Sequence, residues 1–274
     1  NMDKLYGNTL HTSVSRLEQY RKCPFSYYLQ YGLKVKPKDE LKIQSFNTGS
    51  FMHETIDEFF KYVHENNLNL AELEEIDIQK IVSKIIDEDL ELSKNYIFKA
   101  TVKYKILVRR LKKIVSKALK YIIQTLIYSD FTIKGTEVEF DKKGEYKPIQ
   151  LELEDGKRIE ITGKIDRIDI AKEEDGNYLR IIDYKSSSKN IDLNEVYAGL
   201  QIQLLTYADA VCKEEDLIPA GIFYFSLLEQ MIKADKKISD EEIEELIRKN
   251  FKMKGLIVAD VKIIKMNDNS LTTG

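Results

Sequence analysis

The run EITGKIDRIDIAKEEDGNYLRIIDYKS, residues 160–186, constrains the fold more than any other stretch of the chain. It holds two β-patterned segments around a polar connection containing Asp175-Gly176, which is a hairpin signature. With residues 172–177 as the loop, Ala171 faces Tyr178, Ile168 faces Ile181, and Asp169 faces Arg180 in a favourable cross-strand pair. Asp166 then falls opposite Asp183, with Cβ atoms about 4.5–5.5 Å apart. Lys185 shares the face of Asp183, because strand side chains alternate. A tight turn at Asp175-Gly176 would instead oppose Asp166 to Lys185 and Asp169 to Ile182. The first register is preferred because it keeps the Asp169–Arg180 pair.

Two carboxylates held so close repel each other by roughly 3 kcal/mol at an effective dielectric near 20. A divalent cation between them would reverse that sign. Oxygen ligands of this kind suit Mg²⁺ or Mn²⁺ better than zinc. The hairpin is therefore a candidate metal site at the end of a strand.

Around it, the first third of the chain reads as helix. Ser15 and Glu18 have capping-box spacing ahead of an aromatic-rich segment with Tyr20, Phe25, Tyr27, Tyr28 and Tyr31. After Gly49, Phe51, Ile56, Phe59, Phe60 and Val63 recur at helical spacing. Residues 76–95 and 101–128 are two further amphipathic helices joined to this one through the linker 66–75. Strand patterns follow from Thr136, then a helix from Asp192 to Val211, a strand near 220–228 and a helix over 239–252. The expectation is one α/β domain over 1–274, mainly helical over 1–135 and β-rich over 136–274.

The formal net charge of −3 argues against nucleic-acid binding by bulk charge, but the charge is unevenly placed. Residues 92–129 contain no Asp or Glu and carry Lys94, Lys99, Lys103, Lys105, Arg109, Arg110, Lys112, Lys113, Lys117 and Lys120. Such a segment either is a solvated helix face or meets a polyanion, with Arg109, Arg110, Lys112 and Lys113 as the phosphate contacts. No apolar run approaches the ~18 residues of a membrane span, and the N-terminus has no signal-peptide pattern, so a cytoplasmic setting and no membrane partner are expected. Two cysteines, Cys23 and Cys212, exclude a disulfide framework and an all-cysteine metal site within the chain.

Asp166 followed by Asp183-Tyr184-Lys185 resembles the signature of the PD-(D/E)XK nucleases. Three further segments resemble the RecB/AddB-type branch of that family, in the same order. GSFMHETIDEFF is similar to its histidine-bearing motif, at His53. QLLTY matches its Q-x-x-x-Y motif, at Gln203 and Tyr207. SVSRLEQYRKCPFSYYLQYGL is similar to the segment that opens its nuclease domain, where Cys23 matches the first cysteine of a [4Fe-4S] cluster.

The resemblance implies a restriction-endonuclease-like core, a mixed β-sheet with flanking helices, plus an N-terminal helical region. It implies an Mg²⁺-dependent exodeoxyribonuclease acting on single-stranded DNA in double-strand-break repair and recombination, beside an AddA-type helicase/nuclease subunit. His53, Asp166 and Asp183, with the Tyr184 carbonyl, would hold Mg²⁺ or Mn²⁺. Lys185 would position the attacking water, Gln203 and Tyr207 would lie beside the metal, and Glu137 is a weaker candidate for the same site. The alternative is a non-catalytic DNA-binding scaffold of the same fold. Longer members carry a helicase-like region before this domain and three closely spaced cysteines after it. This chain resembles neither, so it is expected to be an excised domain that lacks the cluster, with Cys23 an orphan thiol and Cys212 a small apolar filler.

Overall fold

The computed structural model describes residues 7–35, 48–92, 102–154, 156–227 and 239–271. Lys94 and Lys99 lie outside the described residues. Strands are β1 (Thr9–Ser13), β2 (Thr132–Phe140), β3 (Ile149–Glu152), β4 (Arg158–Glu173), β5 (Gly176–Lys185), β6 (Ile218–Ser226) and β7 (Lys254–Ile257). Helices are α1 (Val14–Lys22), α2 (Thr48–Glu65), α3 (Glu75–Leu92), α4 (Val102–Ile127), α5 (Leu193–Tyr197), α6 (Gln203–Glu215), α7 (Asp240–Asn250) and α8 (Val261–Asn267). Among the described residues, none of these helices is long and apolar enough to cross a membrane.

The sheet is mixed, in the order β1-β4-β5-β6-β7, with β2 and β3 also pairing with β4. Strand β4 is the spine, because β1, β2, β3 and β5 all pair with it along its length. Its alternation of Ile with charged residues suits a strand whose two faces meet different layers. Ile161, Ile165 and Ile168 join a core cluster with Leu204 and Tyr207 of α6. On the other side, Ile182, Tyr184 and Phe225 pack with Met52, Ile56 and Phe59 of α2 and with Leu111, Val115 and Leu119 of α4. Each such side chain removed from water stabilises the fold by about 1.5–3 kcal/mol.

Hairpin β4–β5 adopts the expected register, with Ile168 on Ile181, Asp169 on Arg180 and Ala171 on Tyr178. Its loop is shorter than expected. The ladder continues through Lys172–Asn177 to Glu173–Gly176, leaving a two-residue connection at 174–175. Gly176 closes it at φ +145°, a conformation that residues with a Cβ rarely adopt.

Other sequence expectations need correction. The cap of α1 is Ser13, whose hydroxyl accepts from the Arg16 amide, and not Ser15. Glu18 is therefore free of the capping-box role; its Oε1 instead accepts from the amides of Ile202 and Gln203, at 2.7 and 3.0 Å. The single helix expected from Asp192 to Val211 is two, α5 and α6, separated at 198–202, where Gly199 takes φ +73°. Asp192 does cap α5, accepting from the Asn194 amide. Strand β2 begins at Thr132 rather than Thr136 and bulges between Ile133 and Gly135. Strand β1, parallel to β4, adds a short strand to the part expected to be mainly helical, and β7 and α8 carry too short a pattern to be read.

Candidate active site

Three elements converge where the β4–β5 ladder ends. The β4–β5 ladder has its last rung at Arg167–Ile182. Asp166, one residue beyond, does not sit in a cross-strand rung with Asp183; its Oδ2 accepts the Tyr184 amide N–H at 2.7 Å. A side-chain carboxylate thus replaces a backbone carbonyl where the two strands part. N–H and C=O of one strand residue leave on the same side, so the Tyr184 carbonyl belongs to the β4-facing edge of β5.

His53 arrives on α2, whose apolar face is buried and whose orientation is pinned one turn along. There Asp57 accepts the Thr136 hydroxyl of β2 and pairs with Lys61 at 2.7 Å. His53 Nδ1 lies 3.4 Å from Asp166 Oδ2 and 3.7 Å from Glu137 Oε1. Its ring meets Tyr184 edge-on, centroids 5.8 Å apart. Burial opposes the charged imidazolium, but the carboxylates of Asp166, Glu137 and Asp183 more than offset this and raise its pKa above the usual 6.5.

Glu137 sits in β2 between the rungs Thr136–Arg167 and Val138–Ile165, and so beside Asp166. Its φ is +51°, unusual for a residue in a strand and worth about 1–3 kcal/mol of local strain. Glu137 Oε2 is 2.5 Å from Lys164 Nζ. Burial raises its carboxyl pKa, opposed by Lys164 and reinforced by Asp166. Donor atoms of His53, Glu137 and Asp166 all lie within 4.8 Å of one another.

Asp183 stands outside that trio and is held by Lys185, Nζ to Oδ2 2.6 Å. Burial and then the nearby Asp166 push its carboxyl up to about 6, with Lys185 working the other way. Two oxygens of the cluster, Glu137 Oε1 and Asp183 Oδ2, are buried without a hydrogen bond, although the Lys185 ammonium lies beside the second. A buried Glu137 oxygen with no hydrogen bond, next to the Asp166 carboxylate and one imidazole, belongs to a donor set that a hard divalent cation would satisfy.

Gln203 and Tyr207 share one face of α6, as their i, i+4 spacing dictates. Tyr207 is buried, with its hydroxyl beside the Gln203 side chain and the Lys164 backbone. The hydroxyl rests directly on Gly163, where any Cβ would come within 2.2 Å of it. Behind the site lies a buried network. Arg167 Nη2 and Arg180 Nε both donate to Asp169 Oδ2, at 2.9 and 2.8 Å, and Arg167 Nη1 donates to the Tyr184 hydroxyl at 3.2 Å.

The basic helix α4 is partly neutralised. Lys112 reaches both carboxylate oxygens of Asp87 at 2.7 Å, and Lys120 pairs with Glu75 at 2.8 Å. Arg109, Arg110 and Lys113 are exposed and make no ion pair among the described residues. Cys23 caps the short helix Pro24–Tyr27, its Sγ accepting the Ser26 amide at 3.4 Å. Around it Tyr20, Tyr27 and Tyr31 pack in sequence, though Tyr20 is exposed, as are Phe25 and Tyr28. Cys212 packs against the α6 core, where burial pushes its thiol up to about 11.

The sequence pattern ranks Glu137 below His53, Asp166 and Asp183, whereas the structure groups it with His53 and Asp166, and the pattern does not single out Lys164 or Arg167. Lys164 carried a readable signal, a charge two residues before Asp166 on the same strand. The left-handed backbone that turns Glu137 inward has no signature in a strand pattern.

With this geometry in view, residues 11–264 match the PD-(D/E)XK nuclease superfamily. The B subunit of the ATP-dependent helicase/deoxyribonuclease of Ruminiclostridium cellulolyticum is 42% identical over 98% of this chain. The proteins of the same name from Clostridium novyi and Acetivibrio thermocellus are each 40% identical, over 98% and 97% of the chain. In each case the chain spans 24% of the relative's own length.

Proposed function

The chain belongs to the PD-(D/E)XK nuclease superfamily, and from that premise we propose that residues 1–274 form the metal-dependent exodeoxyribonuclease domain of an AddAB-type helicase–nuclease. Its substrate is single-stranded DNA, cut at phosphodiester bonds during double-strand-break repair and recombination in the cytoplasm. The observation that carries this reading is the cluster itself: donors of His53, Glu137 and Asp166 within 4.8 Å of one another, beside the Lys185–Asp183 pair. The curated relatives are named as the B subunit of an ATP-dependent helicase/deoxyribonuclease, which supports an AddA-type subunit as partner.

His53, Asp166 and Asp183, with the Tyr184 carbonyl, would hold Mg²⁺ or Mn²⁺, and Glu137 joins them by its position. A bound divalent cation supplies acidification of a water and neutralises charge gathering on the phosphoryl group. Lys185 is a compact ammonium at the strand end, placed to orient the attacking water and offset developing negative charge. Asp183 holds Lys185 in that position. Tyr207, on the same face of α6 as Gln203, seats against Gly163, next to the Lys164 whose ammonium pairs with Glu137. Exposed Arg109, Arg110 and Lys113 give phosphates a basic approach, with Lys112 a weaker contributor because Asp87 already holds it.

A [4Fe-4S] cluster does not fit this chain, because four thiolates are needed and two cysteines are present. Cys23 would contribute one of them only within a longer protein.

The test is cleavage of end-labelled single-stranded DNA by the purified chain. Cleavage with Mg²⁺ that is lost in EDTA and in Asp166→Ala supports the reading. Cleavage indifferent to chelation would overturn it, and metal binding without cleavage would favour the scaffold alternative.

A further inference from the structure

Two fully buried arginines share a single carboxylate directly behind the candidate site. Arg167, Asp169 and Arg180 are 1%, 0% and 0% exposed. Asp169 Oδ2 takes a donor from each guanidinium, while Asp169 Oδ1 and Arg167 Nε have no hydrogen-bond partner. Arg180 is otherwise well used: it reaches Asn267 at 3.2 Å and Ser129 at 3.3 Å, and stacks over Phe131. A buried, incompletely satisfied triad of this kind is poor evidence for stability, since packed apolar residues of equal volume commonly serve better. Its retention asks for a positional reason.

Arg167 supplies one. Its second guanidinium nitrogen donates to the Tyr184 hydroxyl, and Tyr184 touches both site residues that approach from different elements. The Tyr184 ring packs edge-on against His53, and the Tyr184 amide donates to Asp166 Oδ2. Fixing the phenol at its far end therefore fixes the ring surface on which the imidazole from α2 rests, next to the backbone amide that holds the Asp166 carboxylate of β4. Phe225 closes the remaining side of the ring, edge-on at 6.2 Å.

We propose that Arg167 is a positioning residue for His53, acting through the Tyr184 side chain and anchored by Asp169 and Arg180. The inference rests on the proposed metal-dependent nuclease reading. It assigns Tyr184 a side-chain role separate from any role of its carbonyl.

The experiment measures Mn²⁺ affinity by electron paramagnetic resonance, Mg²⁺ dependence of cleavage, and thermal unfolding, for the 274-residue chain and its variants. Tyr184→Phe keeps the ring and the carbonyl and removes only the hydroxyl. It is expected to weaken Mn²⁺ binding roughly tenfold, the usual scale for a group that orients a metal ligand. The Mg²⁺ concentration for half-maximal cleavage should rise by a similar factor. Arg167→Lys should retain part of the affinity. Arg167→Met combined with Tyr184→Phe should bind Mn²⁺ no more weakly than Arg167→Met alone, because both act on one link. Tyr184→Phe within twofold of wild type in Mn²⁺ affinity, whatever its melting temperature, would overturn the proposal and leave the network structural. A wild-type chain that binds no Mn²⁺ would instead overturn the nuclease reading, and this inference with it.

Discussion

The Lys185 ammonium stands 2.6 Å from Asp183 Oδ2 at the end of β5, beside a carboxylate that is 5% exposed and raised in pKa by burial and its neighbour Asp166. An acid and a base are thus held at a strand end where neither is needed to form the strand. Asp183→Asn and Asp166→Ala should each abolish Mg²⁺-dependent cleavage. Both remove one of two mutually repelling charges, so stability in EDTA should hold or rise in each. Near-wild-type cleavage by Asp183→Asn, measured on labelled single-stranded DNA, would sink the site assignment.

The same carboxyl sets a pH dependence with a definite sign. Its folded-state pKa of about 6 lies above the ordinary 3.8, so ionisation penalises the folded chain. The stability associated with the protonated form is fully present below about pH 4 and is lost as pH rises through 6. Asparagine cannot ionise. In EDTA, Asp183→Asn should therefore gain on wild type between pH 4 and 7, by up to roughly 3 kcal/mol. Urea melts at pH 4 and pH 7 give the difference directly, and parallel pH curves for the two proteins would refute it.

Much of this site was legible in the residues because hairpin register is arithmetic. Once Asp169 is set on Arg180, every neighbour on β4 and β5 follows, and the observed ladder keeps that register even though its loop is two residues rather than six. What the arithmetic missed is local. Beyond the last rung the strands diverge, so Asp166 turns to the Tyr184 amide rather than facing Asp183. Ser15 and Glu18 had the right spacing for a cap, but β1 ends at Ser13 and starts the helix one residue later, which frees Glu18 for a helix about 180 residues away. Long-range polar contacts of that sort leave no periodicity to read.

Gly163 offers a steric test of Tyr207. A Cβ there would stand 2.2 Å from the Tyr207 hydroxyl and 2.9 Å from its Cζ. The ring is 4% exposed and packed near Phe140, so it has little room to retreat. Gly163→Ala should cost about 1–3 kcal/mol by overpacking. Adding Tyr207→Phe should recover part of that loss, because it deletes the closest atom. Chemical denaturation of the two single variants and the double variant decides it; wild-type stability in Gly163→Ala would show that the contact yields freely.

Charge reversal on α4 should separate paired from unpaired cations. Arg109→Glu, Arg110→Glu and Lys113→Glu remove exposed charges without breaking an ion pair among the described residues. Each should weaken single-strand binding and lower the slope of log affinity against log salt by about 0.7 for every phosphate the variant no longer neutralises. Lys112→Glu should affect the slope less and stability more, because it sets a carboxylate against Asp87. Unchanged slopes for all four would return the helix to an ordinary solvated face.

Glu18 joins the segment around Cys23 to the helix that carries Gln203 and Tyr207. One carboxylate oxygen accepts two amides at the start of α6, and α6 has no cap of its own, since Ile202 offers no side-chain acceptor. Arg21 adds a second tie, donating to the Ala198 carbonyl at 3.0 Å. Beyond these ties, residues 24–32 bury no side chain fully, and Phe25 is 68% exposed. Their amides should therefore exchange before those of the β4–β5 hairpin. With two cysteines, the purified chain should also contain no stoichiometric iron. Glu18→Ala should cost about 0.5–2 kcal/mol, the range for a missing helix cap. It should speed exchange both at 24–32 and at the first turn of α6, whereas Glu18→Gln, which keeps an acceptor oxygen, should retain part of the protection. Faster exchange at 24–32 with the first turn of α6 unchanged would mean that the two segments are not coupled through this side chain.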